Sequence, residues 1–506
     1  MINNLVYILI FLPIFSAIIV QLCGNSKVAI RIVTFSTLLL AIAISSMIAI
    51  ESFYSTSTIQ SDLSFDIISL ATEFRVNAVL SSFVVLLTII KIVQLGLFQG
   101  FVSKKMRPDQ LRLYFSSHLI SYFAIVGIVI SNNIFNIFIF IELYFVSYFS
   151  LSIMHKNKKI SRQSSGHMVL NIASSMLFLL SITALYFHFE ALSLVELVSK
   201  VESSLDSSAL VQITCSLITV SLLIRFIPLW VLFSKNIKDS VAISSELFFL
   251  LFINLNLLIC ILLKTYYIVF SSDIMASVIV FSCLAIITYS SFVMVLSRHL
   301  RSQITLFCLS VFCFVILSLA LRNQSSFEAS LFYILIYNIV ALAIFSFIIF
   351  IWNNYNISVM EDVSVLNQSS GFLSRNSHLL FLLIIILSIP LPHSPVFYAN
   401  FFLFDAILDN NDDQLYEFSN LFDPYILITI LLFHIGSLIL FLKMIISLIY
   451  QSKTFNKKVI DSKERESIAF CLINLIAAII LLYSLVNPDQ LQVVVDRFSR
   501  NLFNIL

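Results

Sequence analysis

Charge is what this 506-residue chain has least of. Asp, Glu, Lys and Arg make up 11% of it, where a water-soluble domain carries about a quarter. A chain so short of charge and 60% apolar, with a mean hydropathy of +1.03, is not built for water. A soluble enzyme is therefore excluded, and a polytopic membrane protein is implied. An excess of one sign is missing too: 29 basic residues face 27 acidic ones for a net charge of +2, too little for nucleic-acid binding as a main role. Glycine is scarce, at 7 residues, and no glycine-rich phosphate loop occurs. Proline numbers 8, so each one is informative. The seven cysteines (Cys23, Cys215, Cys260, Cys283, Cys308, Cys313 and Cys471) are scattered, nearly all in apolar runs, with no CxxC pair and no His at metal-ligand spacing. They read as packing residues rather than as disulfides or metal ligands. With no cysteine cluster and no paired His, no bound flavin, iron-sulfur cluster or haem is expected.

What the chain has instead is long apolar runs. A spanning helix needs about 20 mainly apolar residues, and fourteen stretches qualify: near 5–23, 29–50, 77–101, 112–131, 133–154, 167–188, 210–234, 241–263, 273–297, 303–321, 329–352, 379–404, 425–450 and 467–487. The first lacks a basic flank and a small-residue cleavage site, so it reads as a retained span rather than a signal peptide. Of the 29 Lys and Arg, twenty fall in the loops after odd-numbered spans, six (Arg75 and Lys264 among them) in the opposite loops and the tail, and Lys91, Arg225 and Lys443 inside spans. By the positive-inside rule, both termini then face away from the cytoplasm or matrix. The organisation read from the spans is 1–111 for spans one to three, 112–264 for spans four to eight, 265–450 for spans nine to thirteen, and 451–506 for the last span and tail. The amphipathic stretches 53–75 and 189–209 are expected on the outer surface of the membrane. The acidic run within 405–423 reads as a solvated face.

An ionisable side chain at bilayer depth costs about 2.5 to 3.5 kcal/mol on insertion scales, so each one that persists is a candidate for function. Glu142, in NIFNIFIFIELYFVSYFSL, is the one carboxylate near mid-membrane. Arg225 lies in SLLIRFIPLW, three residues before Pro228. Its guanidinium keeps its proton, so it can hold a carboxylate or order water but cannot relay a proton. Left apart, each would be an unpaired charge in hydrocarbon, which predicts contact between spans five and seven. Lys91 reads equally well as functional and as snorkelling, and Lys443 reads as snorkelling. His167 and His434 read as packing histidines ahead of proton carriers, and Glu246 as a helix cap. Pro228 falls inside span seven, and Pro390, Pro392 and Pro395 crowd span twelve in ILSIPLPHSPVFYANFFLF. Each proline removes a backbone donor and breaks a helix. Breaks five spans apart match two repeated five-helix units, an arrangement that builds transport paths.

With these features the sequence resembles the antiporter-like membrane subunits of respiratory complex I and of Mrp-type cation/proton antiporters. The likeness rests on NNIFNIFIFIELYFVSYFSL around the fifth-span Glu, on ASLFYILIYNIVALAIFSF in span eleven and on LSIPLPHSPVFYANFFLF in span twelve. Tyr333 and Tyr337, with no His or Lys in span eleven, make it most similar to the N-type subunits of NADH-quinone oxidoreductase, while the fifth span resembles the D-type subunits of Mrp antiporters as well. The resemblance implies an all-α polytopic fold of about fourteen transmembrane helices, with two inverted five-helix repeats (spans four to eight and nine to thirteen) and broken helices seven and twelve. It implies a non-catalytic subunit that binds no cofactor or nucleic acid. Such a subunit works in the lipid bilayer with other membrane subunits of complex I, in a bacterial or mitochondrial inner membrane. It moves protons, driven by quinone reduction elsewhere in the complex.

In the family a Glu in span five pairs with a Lys in span seven, and Lys residues in spans eight and twelve continue a hydrated path. Here Glu142 matches the first, and Arg225 stands two residues nearer the proline than the second. Asn256 or Asn254 stands for the eighth-span Lys and Asn400 for the twelfth; Lys91 and His167 complete the candidate path. Neutral amides order water but carry no proton, so the path is either rewired or a degenerate structural version. A D-type subunit of an Mrp antiporter, exchanging Na+ or K+ for protons, is the alternative. A lipid or polysaccharide flippase, which would line its cavity with several Arg and acidic residues, fits less well.

Overall fold

The computed structural model describes residues 2–24, 26–55, 59–63, 72–105, 107–154, 158–204, 209–226, 245–269, 273–297, 299–321, 324–355, 372–389, 394–409, 419–449 and 465–503. In chain order the elements are α1 (Ile2–Leu22), α2 (Lys27–Ser55), β1 (Ile59–Leu63), β2 (Thr72–Val76), α3 (Ala78–Lys105), α4 (Pro108–Ile130), α5 (Ile134–Met154), α6 (Lys158–Phe189), α7 (Leu194–Ser204), α8 (Ala209–Phe226), α9 (Ser245–Lys264), α10 (Tyr266–Val269), α11 (Asp273–Leu296), α12 (Leu300–Ala320), α13 (Gln324–Tyr355), α14 (Phe372–Ser388), α15 (Pro395–Asp409), α16 (Ser419–Ile449), α17 (Arg465–Val486) and α18 (Pro488–Phe503).

Ten of these helices, α1 to α6, α11 to α13 and α16, are long and apolar enough to cross a membrane. Shorter apolar helices at Val211–Phe226, Phe252–Lys264 and Leu379–Ser388 lie within the seventh, eighth and twelfth expected spans. Helix α1 leaves Phe15 and Ile18 exposed, α2 leaves Ile32 and Leu39, and α6 leaves Met176 and Phe187. A lipid-facing surface presents apolar side chains in this way, since lipid tails are as apolar as they are.

The all-helical expectation needs one correction. Within 53–75, helix α2 continues to Ser55, and β1 then pairs with β2 as an antiparallel two-stranded sheet with Ile59 opposite Val76 and Leu63 opposite Thr72. The sequence TEFRV alternates, and a strand sends successive side chains to opposite faces: Phe74 and Val76 are buried while Glu73 and Arg75 point the other way. This segment therefore docks on the helices through one face instead of lying along them as a helix. The other amphipathic stretch does form a helix, α7, with Leu194, Leu197, Val198 and Val201 buried at the spacing of one helical face.

The described residues divide into two compact units, 1–275 with 500–506, and 276–499. In the first, α4 is the hub, packed against α1, α5, α3 and α9, while α6 packs on α5 and α8. Helix α4 opens with Pro108 at its first position and Asp109 in its first turn, where a missing N–H costs nothing and the helix dipole favours an acid. Gly127 of α4 lies directly beneath the ring of Phe140 on α5, so a side chain there would strike the ring. In the second unit, the 19-residue apolar window of α12 is wholly buried and α13 is nearly so, and α13 packs against α12, α15 and α17. Between α14 and α15 the helix is interrupted: α14 ends at Ser388, and α15 restarts with Pro395 at its first position and Ser394 as cap, its Oγ accepting the Phe397 N–H at 3.0 Å. Pro390 and Pro392 lie outside the described residues, as do Pro228 and the greater part of the acidic run in 405–423.

Replacing Gly127 by Val forces α4 and α5 apart or drives Phe140 off its rotamer, an overpacking cost of about 1–3 kcal/mol. The expected result is a lower thermal midpoint for the purified protein, measured by differential scanning fluorimetry in detergent; an unchanged midpoint would show that Phe140 yields freely.

Candidate functional site

The site is built around the link between α4 and α5. Ser131 ends α4 in an extended conformation, and Asn133 caps α5 through its side-chain oxygen, which accepts the Phe135 N–H at 2.9 Å, as Asn does at helix starts. The link is held from three sides. Phe74 of β2 bridges Ser131, and Ser193 bridges Asn133; the Asn132 N–H donates to the Glu73 carbonyl at 2.9 Å, the Leu194 N–H to the Asn132 carbonyl at 2.8 Å, and the Ile134 N–H to the Leu192 carbonyl at 3.0 Å. From the third side comes Lys264, the last residue of α9, whose Nζ donates to the Ile128 carbonyl at 3.0 Å and to the Ser131 carbonyl. A cation there also answers the negative end of the α4 dipole.

Lys264 is a residue that sequence reasoning misplaces. Counted among the loop lysines, it is only 7% exposed. The signal was present: CILLKTYYIVF is apolar on both sides of it, unlike a loop. Beside Lys264 opens a cleft of about 550 Å³, measured with its mouth, lined by Arg75, Asn77, Asn132 and Lys264 and by Leu80, Leu194, Val198 and Leu263. On its rim, half-burial lowers the Arg75 guanidinium pKa, and the adjacent Glu73 carboxylate raises it again; an arginine remains charged under either influence.

The expected pairing of spans five and seven is present. Arg225 Nη2, on α8, donates to Glu142 Oε1, on α5, at 2.6 Å and to Ser175 Oγ, on α6, at 3.4 Å. The guanidinium carbon lies 4.8 Å from the centre of the Phe145 ring, a cation–π distance. Burial of the two partners is unequal: the Arg225 side chain is 1% exposed and the Glu142 side chain 36%. A fixed cation is thus sealed among helices, and the carboxylate that balances it is partly exposed. The Nε and Nη1 groups of Arg225 have no protein acceptor among the described residues, so they are available to order water.

On the neighbouring α9, Asn254 accepts a hydrogen bond from Tyr144 of α5. Asn256 is fully buried and turns its Nδ2 back to the Phe252 carbonyl at 3.0 Å, leaving its Oδ1 without a donor among the described residues. Other expected site residues lie elsewhere. Lys91, on α3, does not snorkel: it is 1% exposed and its Nζ donates to Ser121 of α4 at 2.9 Å. Asn400, on α15 of the second unit, is buried, with its Nδ2 lacking a partner among the described residues; α15 packs on α13, where the Tyr333 and Tyr337 rings stack at 4.3 Å. His167 falls at the start of the apolar part of α6, and its side chain, like that of Glu246, is outside the described residues. His434 Nδ1 is 2.6 Å from the Ile430 carbonyl, a packing contact within α16. Lys443 is exposed, and its Nζ donates to the Val295 carbonyl at the end of α11 at 2.8 Å.

Residues 131–421 match the family described as NADH:quinone oxidoreductase/Mrp antiporter, TM. Among solved structures the chain is similar to one of the membrane-bound sulfane sulfur reductase, an archaeal respiratory membrane complex, with a TM-score of 0.79 and 15% identity over 99% of both chains. It is also similar to one of the Mrp complex from Dietzia sp. DQ12-45-1b, with a TM-score of 0.76 and 13% identity over 99% of this chain and 98% of that one. At these identities the likeness is one of fold.

Removing one partner of a buried pair leaves the other uncompensated. Glu142→Gln is therefore expected to lower the thermal midpoint, and Glu142→Gln combined with Arg225→Met to recover part of the loss. A double variant as unstable as the sum of the single ones would show no coupling. Lys264→Met strips two carbonyls of their donor, at about 1–3 kcal/mol, and the same measurement should show it.

Proposed function

The chain belongs to the NADH:quinone oxidoreductase/Mrp antiporter family of membrane subunits, and we propose that it is a membrane-arm subunit of a proton-translocating NADH-quinone oxidoreductase. The observation that carries proton translocation in this reading is the ion pair of Glu142 and Arg225 between α5 and α8, because a titratable carboxylate held beside a permanent cation can serve as a proton-loading site with a built-in counter-ion. In this reading Glu142 takes and releases the proton. Arg225 sets the field and orders water, and Asn256 and Asn400 hold water where a lysine would carry charge. Lys91 and His167 flank the path. Fourteen spans are proposed, with 112–264 and 265–450 as the two five-helix repeats and both termini away from the cytoplasm or matrix. The division of the described residues at Met275 and Ala276 supports a two-unit design. Other membrane subunits are the expected partners, and the host is a bacterial or mitochondrial inner membrane.

The stacked pair Tyr333 and Tyr337, neutral side chains buried beside Asn400, favours the N-type branch over the alternative, a D-type subunit of an Mrp antiporter that exchanges Na+ or K+ for protons. The ion pair serves both. Mild-detergent purification of the tagged protein from its native membrane separates them: co-migrating flavin and iron-sulfur subunits are expected, and a set of small membrane subunits without redox centres would move the assignment to the antiporter. In the intact complex, Glu142→Gln should lower the protons moved per electron pair, read as quenching of a pH-sensitive dye in vesicles. Full coupling in that variant would leave a structural role only.

A further inference from the structure

Away from the ion pair, the interface between α3 and α4 contains a polar layer of which the proposed path uses Lys91 alone. Lys91 Nζ donates to Ser121 Oγ at 2.9 Å, and Ser121 Oγ donates in turn to the His118 carbonyl at 2.8 Å. The two helices are joined by residues 106–107 and run antiparallel, rising equally per residue. With Lys91 level with Ser121, Gln94 is therefore level with His118. Thr88, Lys91 and Gln94 share one face of α3 at three-residue spacing, and His118 and Tyr122 share one face of α4 at four-residue spacing. All of these side chains are buried, in helices that otherwise carry mainly apolar residues.

Two of them lack a partner among the described residues. Both side-chain polar atoms of Gln94 and the hydroxyl of Tyr122 are buried with no donor or acceptor from the protein in reach. An amide can make about four hydrogen bonds and an ammonium has three to give, and buried groups of this kind are satisfied by protein or by ordered water. A dry interface would have no use for an amide opposite a histidine, one turn from a lysine.

We propose that the α3–α4 interface is an internal water-binding site, with Gln94, Tyr122 and Lys91 as its polar walls, separate from the Glu142 and Arg225 centre. Water there bridges the Gln94 amide and the Tyr122 hydroxyl and solvates the Lys91 ammonium, which explains how a lysine stays in the middle of a spanning helix without reaching for the headgroups. The proposal stands whether or not the ion pair moves protons.

Radiolytic hydroxyl-radical footprinting of the intact complex tests it, because radicals made from bound water oxidise the side chains that touch that water even where bulk solvent is excluded. Tyr122 is the reporter. Met294, equally buried and packed on Gly436, is the dry reference, with an intrinsically more reactive side chain. The expected result is oxidation of Tyr122 severalfold faster than that of Met294, and a severalfold drop at Tyr122 in Gln94→Leu, which keeps the volume and removes the polar wall. Oxidation of Tyr122 no faster than Met294 would overturn the proposal, and so would an unchanged rate in Gln94→Leu. If that variant fails to assemble, the wild-type comparison decides alone, with Gln94→Met as the milder substitution.

Discussion

Everything near the site depends on one requirement: the helix ends where α4 stops and α5 begins must find hydrogen-bond partners in the protein. A buried N–H or carbonyl must find a hydrogen-bond partner, and Ser131 and Asn133 are buried. The solution draws in three distant parts of the chain, the hairpin through Glu73 and Phe74, the start of α7 through Leu192 to Leu194, and the end of α9 through Lys264. Because the contacts of the hairpin and of the start of α7 are backbone hydrogen bonds of fixed geometry, with the Lys264 ammonium added from α9, they set the axis and rotation of α5. That rotation aims Glu142 at α8.

Once α5 is set, electrostatics accounts for the pairing. An arginine surrounded by helices is costly unless an anion balances it, and Glu142 supplies that anion from two turns beyond the Asn133 cap. The pair is asymmetric in burial: the guanidinium is enclosed and the carboxylate is partly exposed. The amides on the neighbouring helix are neutral. Asn254 is engaged by Tyr144, and Asn256 offers an acceptor, so this part of the bundle has neutral polar groups near the ion pair.

In the second unit the polar chemistry is quieter. Tyr333 and Tyr337 stack on α13, which packs against the restarted helix α15 that carries Asn400, and the aromatic rings of Phe307, Phe314 and Phe433 pack close by. Helix α15 starts at Pro395 with Ser394 as its cap and packs on α13, and Asn400 follows within two turns of its start. The proline content points to this break: three prolines crowd the segment, and Pro395 stands at the first position of α15, where its ring is best tolerated.

The class of protein, the apolar helices and the partnership of Glu142 with Arg225 were legible in the order of residues alone, because they follow from short-range composition and from the cost of an isolated charge in hydrocarbon. The break in span twelve was legible too, being local proline chemistry. What holds the buried lysines emerges only in the folded chain. The apolar flanks of Lys91 and Lys264 show that each lies in or against a span, but not that a serine 30 residues away and carbonyls more than 130 residues away hold them. The hairpin was hidden for the same reason: TEFRV is a short alternating segment whose buried face exists only once the α4–α5 link is there to receive it. Long-range hydrogen bonds leave no periodic signal in the chain, and here they fix where the charge lies.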